Sequence, residues 1–390
     1  MSNIVSYNNK GAQEKSPNYD TFVTNEILED ICQRLTNDKS FVLNKNENKK
    51  NNGRLLKLID ENRKIVYYIN LSQEGKIKGR NYYFQSVSTA LELFFEEKID
   101  KGYDKKFCFY FLPFTGNIKT DYYVFLFRIM ATAGIKFIND DFVFNKNEIN
   151  TFSSMRDLIN ERRILKTYNP GNNSTYISDD GDSYGIYGKT FGANVKETML
   201  FCLAVINIAE KPVKLYQILD NDSKAISAKD RNLIMYFSEE TKFYSFEIID
   251  DTLEFEEKCN NENLRSPRFN YNLLNKHNGK KKCALCDCEI ERIIQGAHIY
   301  PVAEIKKNQT LSGAQKFDYA THRDNGLWLC ENHHKLFDSD IISFSDGKVI
   351  YKDIVNESDK NYLDEITKNK ELSSNIYNDE MKKFFNLRYK

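Results

Sequence analysis

The chain has 390 residues, 41% of them hydrophobic and 29% charged, which suffices for a sizeable core and predicts two or three domains. Its 56 basic and 56 acidic side chains cancel, so composition offers no electrostatic case for a polyanionic partner, and DNA binding would need a local basic face. No apolar run of about 18 residues exists and residues 1–10 lack the apolar centre of a signal peptide, which predicts a cytoplasmic protein without membrane spans.

Residues 1–20 are rich in Asn, Lys and Ser and read as a flexible arm. From 21 to 255 the patterning is that of an α+β region. A helix is expected over 24–35 with a cap at its start, a polar loop over 44–53, a strand over 64–70, an amphipathic helix over 81–100 and a buried strand over 107–113. A helix over 120–133 closed by Gly134 and a strand over 136–144 follow. The helix expected over 152–165 carries Arg156, Arg162 and Arg163, read as an exposed charged face. Residues 168–185 read as a polar loop, so a break between two subdomains is expected near 146–185. Gly188-Lys189-Thr190 resembles the end of a phosphate loop, but Ser183 stands where the leading glycine belongs, and nucleotide binding is rejected. A helix over 194–209 and strands over 213–219, 233–237 and 243–249 complete a region without a catalytic constellation, to which target recognition is assigned. Residues 256–275, with Glu256, Glu257, Asn260, Asn261, Asn263 and Ser266-Pro267, read as a linker. Cys32, Cys108, Cys202 and Cys259 fit buried thiols of a reducing compartment.

The next segment, 276–350, differs in kind. Four of the five histidines and four of the eight cysteines lie within residues 283–344. Cys283-Ala-Leu-Cys286 is answered by Cys330-Glu-Asn-His333, and two such spacings present four soft or borderline ligands tetrahedrally, as a structural zinc site requires. Cys288 is an alternative to Cys283 or Cys286. A helix is expected from about Glu331, and neighbouring helical residues point about 100° apart, so His333 and His334 must serve different sites. Asp338 lies one turn beyond His334 on the same face, and that pair can hold a second metal ion.

His298 on an expected strand, Asn325 opening another and His334 on the following helix resemble the His-Asn-His triad of the HNH nucleases. The run Asn325-Gly-Leu-Trp-Leu, His334-Lys-Leu-Phe-Asp338 is similar to the modules of bacterial type II restriction endonucleases. The resemblance covers the last third of the chain. It implies that His298 is the general base toward water, that His334 with Asp338 holds Mg2+ or Mn2+ against the scissile phosphate, and that Asn325 orients the His298 loop or joins the metal shell. It also implies hydrolysis of double-stranded DNA to 5′-phosphate and 3′-hydroxyl ends. Many relatives carry a metal ligand just before the base, where this chain has Ala297; Asp338 is its expected substitute, with Glu304 and Asp324 as weaker candidates. Lys280, Lys281, Lys282, Lys306 and Lys307 are the expected phosphate contacts, with Lys276, Arg265 and Arg268 nearby.

Residues 351–390 read as a charged, helix-prone tail that packs back on the body or pairs with a second subunit, a homodimer suiting a palindromic site. The expected fold class is α+β: a mixed α/β N-terminal recognition region, a zinc-stapled ββα-metal module and a helical tail. The expected function is a sequence-specific restriction endonuclease of a restriction-modification or defence system. The alternatives are a modified-DNA-dependent or ligand-activated nuclease and a non-catalytic zinc-stapled DNA-binding module.

Overall fold

The computed structural model describes residues 4–8, 24–41, 55–72, 87, 90–91, 94–100, 102–112, 121–140, 149–168, 175–189, 193–218, 226–241, 246–249, 264, 266–352 and 356–390. In chain order the elements are β1 (Ile4–Asn8), α1 (Asn25–Thr36), β2 (Leu55–Asp60), β3 (Ile65–Ser72), β4 (Asp104–Phe111), α2 (Asp121–Thr132), β5 (Lys136–Phe137) and α3 (Met155–Tyr168). Then come β6 (Thr175–Asp179), β7 (Tyr184–Lys189), α4 (Ala193–Ile208), β8 (Val213–Ile218), α5 (Ala228–Thr241), β9 (Phe246–Ile249) and α6 (Pro267–Lys276). The remainder is β10 (Ile294–His298), α7 (Val302–Lys307), α8 (Gly313–Thr321), β11 (Gly326–Cys330), α9 (Glu331–Asp338), β12 (Ile342–Ser345), β13 (Lys348–Tyr351), α10 (Glu357–Ile366) and α11 (Asp379–Arg388).

The chain forms two compact units, one of Met1–Leu158, Phe191–Glu210 and Ile226–Tyr244, the other of Ile159–Thr190, Lys211–Ala225 and Ser245–Lys390. The first holds a sheet ordered β1-β2-β3-β4-β5, antiparallel as far as β3 and parallel beyond it. Its helix α1 is capped by Thr24 and buries Leu28, Ile31, Cys32 and Leu35, the i, i+3, i+4, i+7 stripe, against Leu56, Leu58, Tyr67, Ile69 and Tyr110. Buried Phe109, Phe111 and Phe127 form a second aromatic group with the partly buried Phe137.

The second unit holds a sheet ordered β6-β7-β8-β9, whose first pair is antiparallel and the rest parallel. A single apolar cluster runs from Tyr176 and Tyr187 of that sheet through Phe269 and Leu273 of α6 to Ala297, Leu327 and Trp328 of the β10–β11 hairpin. It continues to Phe337, Phe344, Met381, Phe384 and Phe385. Asp180 joins sheet and hairpin: its carboxylate accepts from Lys281 (2.8 Å), Ser178 (2.7 Å) and Tyr187 (3.2 Å). Gly185 permits this approach, because a Cβ there would stand 2.3 Å from an Asp180 oxygen.

Several sequence expectations are corrected. The supposed arm contributes β1, since Ile4-Val-Ser-Tyr7 is strand-prone and pairs with β2. The supposed linker contains α6, with Ser266 as cap, Pro267 in the first turn and Phe269, Tyr271, Leu273 and Leu274 buried. Residues 233–237 lie in α5; a short apolar run has no distinguishing period, and the Ser227 hydroxyl accepting from the Asp230 amide (3.1 Å) marks the helix start. The polar stretch 168–185 supplies β6 and the first residues of β7. Arg162 is buried and donates to the Thr175 carbonyl, and Arg163 pairs with Glu291, so neither forms an exposed face. The tail packs on the second unit's core through Leu363, Met381, Phe384 and Phe385. Half of the expected helix 81–100 lies outside the described residues, with 87, 90, 91 and 94–96 helical among those described, and loop 44–53 and Cys259 lie wholly outside them.

His277, just past α6, has a buried Nε2 with no hydrogen-bond partner among the described residues. Burial, helped by the Lys276 charge, lowers its pKa from 6.5 to about 4. Between those values the unfolded chain takes up a proton that the folded chain refuses, so stability is full above the upper value and falls as pH falls, by up to ~3 kcal/mol. Urea unfolding of the wild type is expected to lose stability more steeply across that window than His277→Gln; parallel curves would refute the assignment.

Candidate active site and metal centre

Strands β10 and β11 pair antiparallel with Ile294 opposite Cys330 and His298 opposite Gly326, and α9 begins directly after Cys330. The hairpin and helix make a ββα unit. β11 is buried along its whole length, which is why Gly-Leu-Trp-Leu-Cys shows no polar alternation.

Cys283, Cys286, Cys330 and His333 converge, with all four ligand atoms within 4.8 Å of one another. The His333 Nδ1 lies 3.5 Å from the Cys283 sulfur and 3.2 Å from that of Cys330, and the Cys286 and Cys330 sulfurs are 3.9 Å apart. Those separations fit the edges of a tetrahedron around Zn2+, about 3.8 Å between sulfurs for bonds of ~2.3 Å. The hydrogen bond from Cys283 and, after it, that with His333 hold the Cys330 thiol below its ordinary range against the effect of burial, which favours a thiolate there. On the far side, His333 Nε2 meets the buried Thr367 hydroxyl at 3.2 Å, which fixes the ring with Nδ1 toward the sulfurs. Asn369 braces the knuckle: its side-chain Nδ2 donates to the Ala284 carbonyl (3.1 Å) and its backbone amide to the Leu285 carbonyl (3.1 Å). Cys288 stands outside the cluster.

His298 ends β10. Its Nε2 is 2.9 Å from the Ala320 carbonyl, and a carbonyl only accepts, so Nε2 carries the proton and Nδ1 keeps its lone pair. The ring stacks on Phe269 with centroids 3.7 Å apart and planes 16° from parallel. Phe269 lies over a glycine floor: a Cβ at Gly326 or Gly296 would stand 2.7 or 2.9 Å from its ring. Gly326→Ala is therefore expected to displace the Phe269 ring and with it His298, costing ~1–3 kcal/mol of stability and slowing cleavage at least about tenfold. Thermal unfolding and nicking rates check this; Gly326→Ala combined with Phe269→Leu is expected to regain stability and not rate.

Asn325 is fully buried and occupied. Its Oδ1 accepts from the Tyr300 amide (2.7 Å) and its Nδ2 donates to the carbonyls of Tyr300 (3.2 Å) and Tyr319 (2.9 Å). It holds the chain just beyond His298, an arrangement that suits the orienting role. Next to it Asp324 pairs with Lys276 (2.8 Å) and accepts from Asn378 (2.9 Å), so Asp324 belongs to the scaffold. Arg388 of α11 donates to the Ile299 carbonyl (3.1 Å) and the Phe337 carbonyl (2.7 Å), tying the His298 strand to the last turn of α9.

His334 faces away from His333. Its Nδ1 donates to Gln295 Oε1 (3.1 Å), leaving Nε2 with a lone pair 3.5 Å from an Asp338 oxygen. One imidazole nitrogen and one carboxylate form a donor pair suited to Mg2+ or Mn2+, with water completing the shell. His298, His334 and Asp338 line one cleft of about 620 Å³, together with Tyr187, Tyr216, Pro267, Phe269, Asn270 and Val302 among others. Ala297 is completely buried on the strand face opposite His298, so a carboxylate there would sit in the core; Glu304 is exposed and pairs with Lys307.

The lysines divide. Lys281 is buried, pairs with Asp180 and lies 5.4 Å over the Trp328 ring, which corrects its reading as a phosphate contact. Lys280 and Lys306 are exposed, and Lys282 and Lys307 are exposed ends of ion pairs with Glu289 and Glu304. Phe269, Gln295, Thr367 and Arg388 escaped sequence reading; only Phe269 carried a signal, the Ser-Pro helix start three residues before it.

The site thus consists of a ββα unit carrying His298 and His334 beside a Cys3His cluster that could hold zinc. Residues 283–345 match the family described as HNH endonuclease, and this segment belongs to the HNH nuclease family. The match spans well under half of the chain, and comparison with curated proteins gave no match. The module is a hydrolase domain of the nuclease class, acting on DNA. No helix among the described residues is long and apolar enough to cross a membrane.

Proposed function

We propose that this protein is a sequence-specific DNA endonuclease of a bacterial restriction-modification or phage-defence system, leaving 5′-phosphate and 3′-hydroxyl ends. The observation that carries the reading is the convergence of His298, His334 and Asp338 on one cleft of a ββα unit. His298, with its proton fixed on Nε2 by the Ala320 carbonyl, offers Nδ1 to take a proton from the attacking water. Asn325 positions it from beneath. His334 and Asp338 would hold Mg2+ or Mn2+, which when bound stabilises charge developing on the phosphate and the leaving oxygen. Cys283, Cys286, Cys330 and His333 would hold zinc and fix the hairpin against α9. Lys280, Lys282, Lys306 and Lys307 would contact flanking phosphates, and the N-terminal unit would select the target, two copies acting on a palindrome.

Supercoiled plasmid and phage DNA, modified and plain, incubated with the protein and Mg2+ or Mn2+ provide the test. Discrete, ligatable fragments with 5′-phosphates are expected. Binding without nicking would assign the chain to the non-catalytic zinc modules, and cleavage appearing only with a small-molecule extract would move it to ligand-activated nucleases.

A further inference from the structure

The cleft has a second wall that lies outside the family match. Three tyrosines occupy one row across the β6–β8 strands, Tyr176 opposite Tyr187 and Tyr187 opposite Tyr216. The first two are anchored: Tyr176 donates to Asn275 Oδ1 (2.7 Å) and packs edge-on against Tyr271, and Tyr187 donates to Asp180. Tyr187 is 3% exposed, whereas Tyr216 is only partly buried and lines the cleft, stacked on Tyr187 at 4.8 Å with planes 17° apart; β9 follows in the sheet, with Ile249 in register with Tyr216.

The chemistry of the lining narrows the occupant. Besides the two histidines and Asp338 it consists of Tyr187, Tyr216, Phe269, prolines, small apolar residues, Ser266 and Asn270, with no lysine or arginine among the described residues. The described part of this wall is therefore more aromatic and apolar than cationic. A rigid, backed aromatic ring opposite a phosphate-cleaving pair suits the flat face of a base, and about 620 Å³ is room for a whole nucleotide.

Resting on the nuclease reading, we propose that Tyr216 is a substrate-contacting residue: a DNA nucleotide beside the scissile phosphate leaves the base stack and its base lies against the Tyr216 ring. Unstacking costs least where pairing is already broken, so a mismatch, bubble or single strand at the cut position is the favoured substrate. The aromatic row holds the ring in place before DNA arrives, so little ordering is needed on binding.

Full-length wild type, Tyr216→Phe and Tyr216→Leu should be compared on duplexes with and without a short bubble and on single strands, with unfolding temperature and zinc content measured alongside. Tyr216→Phe is expected to cleave within about twofold of wild type, and Tyr216→Leu to lose roughly 10- to 100-fold in kcat/KM, chiefly through KM, with folding and zinc unchanged. The wild type is expected to prefer the bubble, a preference that Tyr216→Leu abolishes. In the His298→Ala background, oligonucleotides carrying 2-aminopurine are expected to change fluorescence on binding, and the change to vanish with Tyr216→Leu. Equal cleavage by all three proteins would overturn the proposal and leave the nuclease standing, as would equal losses in the Phe and Leu variants. A wild type that cuts no DNA would instead remove the nuclease reading on which it rests.

Discussion

His298→Ala is expected to lower the rate of DNA cleavage by about 10²- to 10⁴-fold while DNA binding, zinc content and unfolding temperature stay near wild type. Its Nε2 donates to a backbone carbonyl and its ring covers Phe269 at the cleft; alanine removes the proposed acceptor for the water proton without opening the core. Added imidazole is expected to restore part of the rate, because the vacated place lies against a flat aromatic ring that retains the same shape. Asn325→Ala supplies the contrast. It strips partners from the Tyr300 amide and two carbonyls in a fully buried setting, so its main effect is on stability, at ~1–3 kcal/mol for each group left unpaired. Retention of wild-type cleavage by His298→Ala would move the base elsewhere and dissolve the proposed mechanism.

The second large effect concerns the Cys3His cluster. Cys330→Ser, or prolonged chelation, is expected to unfold the second unit, since a structural zinc site links binding free energies of about 10–16 kcal/mol to folding. Cys330 is at once a proposed zinc ligand, the last residue of β11 and the cap position of α9, so its loss is expected to release both halves of the ββα unit. Metal analysis is expected to give one zinc per chain, and cobalt exchanged into the protein to show the visible bands of a tetrahedral sulfur-rich site. Cys288→Ser serves as control and is expected to keep the metal, as Cys288 lies outside the cluster. A Cys330→Ser protein with unchanged zinc content and unfolding temperature would sink the assignment.

What the sequence disclosed follows from the range of the interactions. The ligands Cys283, Cys286, Cys330 and His333 sit at fixed short spacings because two tight turns present them, and spacing is visible in one dimension. The same holds for His334 and Asp338 on one helical face. Thr367, Arg388 and Tyr216 reach the site from far along the chain through single contacts that leave no periodicity, and nothing local marks them. α6 illustrates a different limit: its cap and proline were legible, but the Asn- and Glu-rich surroundings outweighed four apolar residues whose purpose appears only when the hairpin lies over them. Lys281 shows how a charge run misleads, because one of three consecutive lysines turns inward to Asp180 while its neighbours face water.

Arg388 gives the site a temporal property as well as a spatial one. Its guanidinium secures the carbonyls of Ile299 and Phe337, and its helix buries Met381, Phe384 and Phe385 in the core beneath the hairpin. During synthesis the ribosome delivers His298 and His334 well before this clamp. The nascent chain thus carries the proposed reacting residues before the contact that ties the His298 strand to α9 can form.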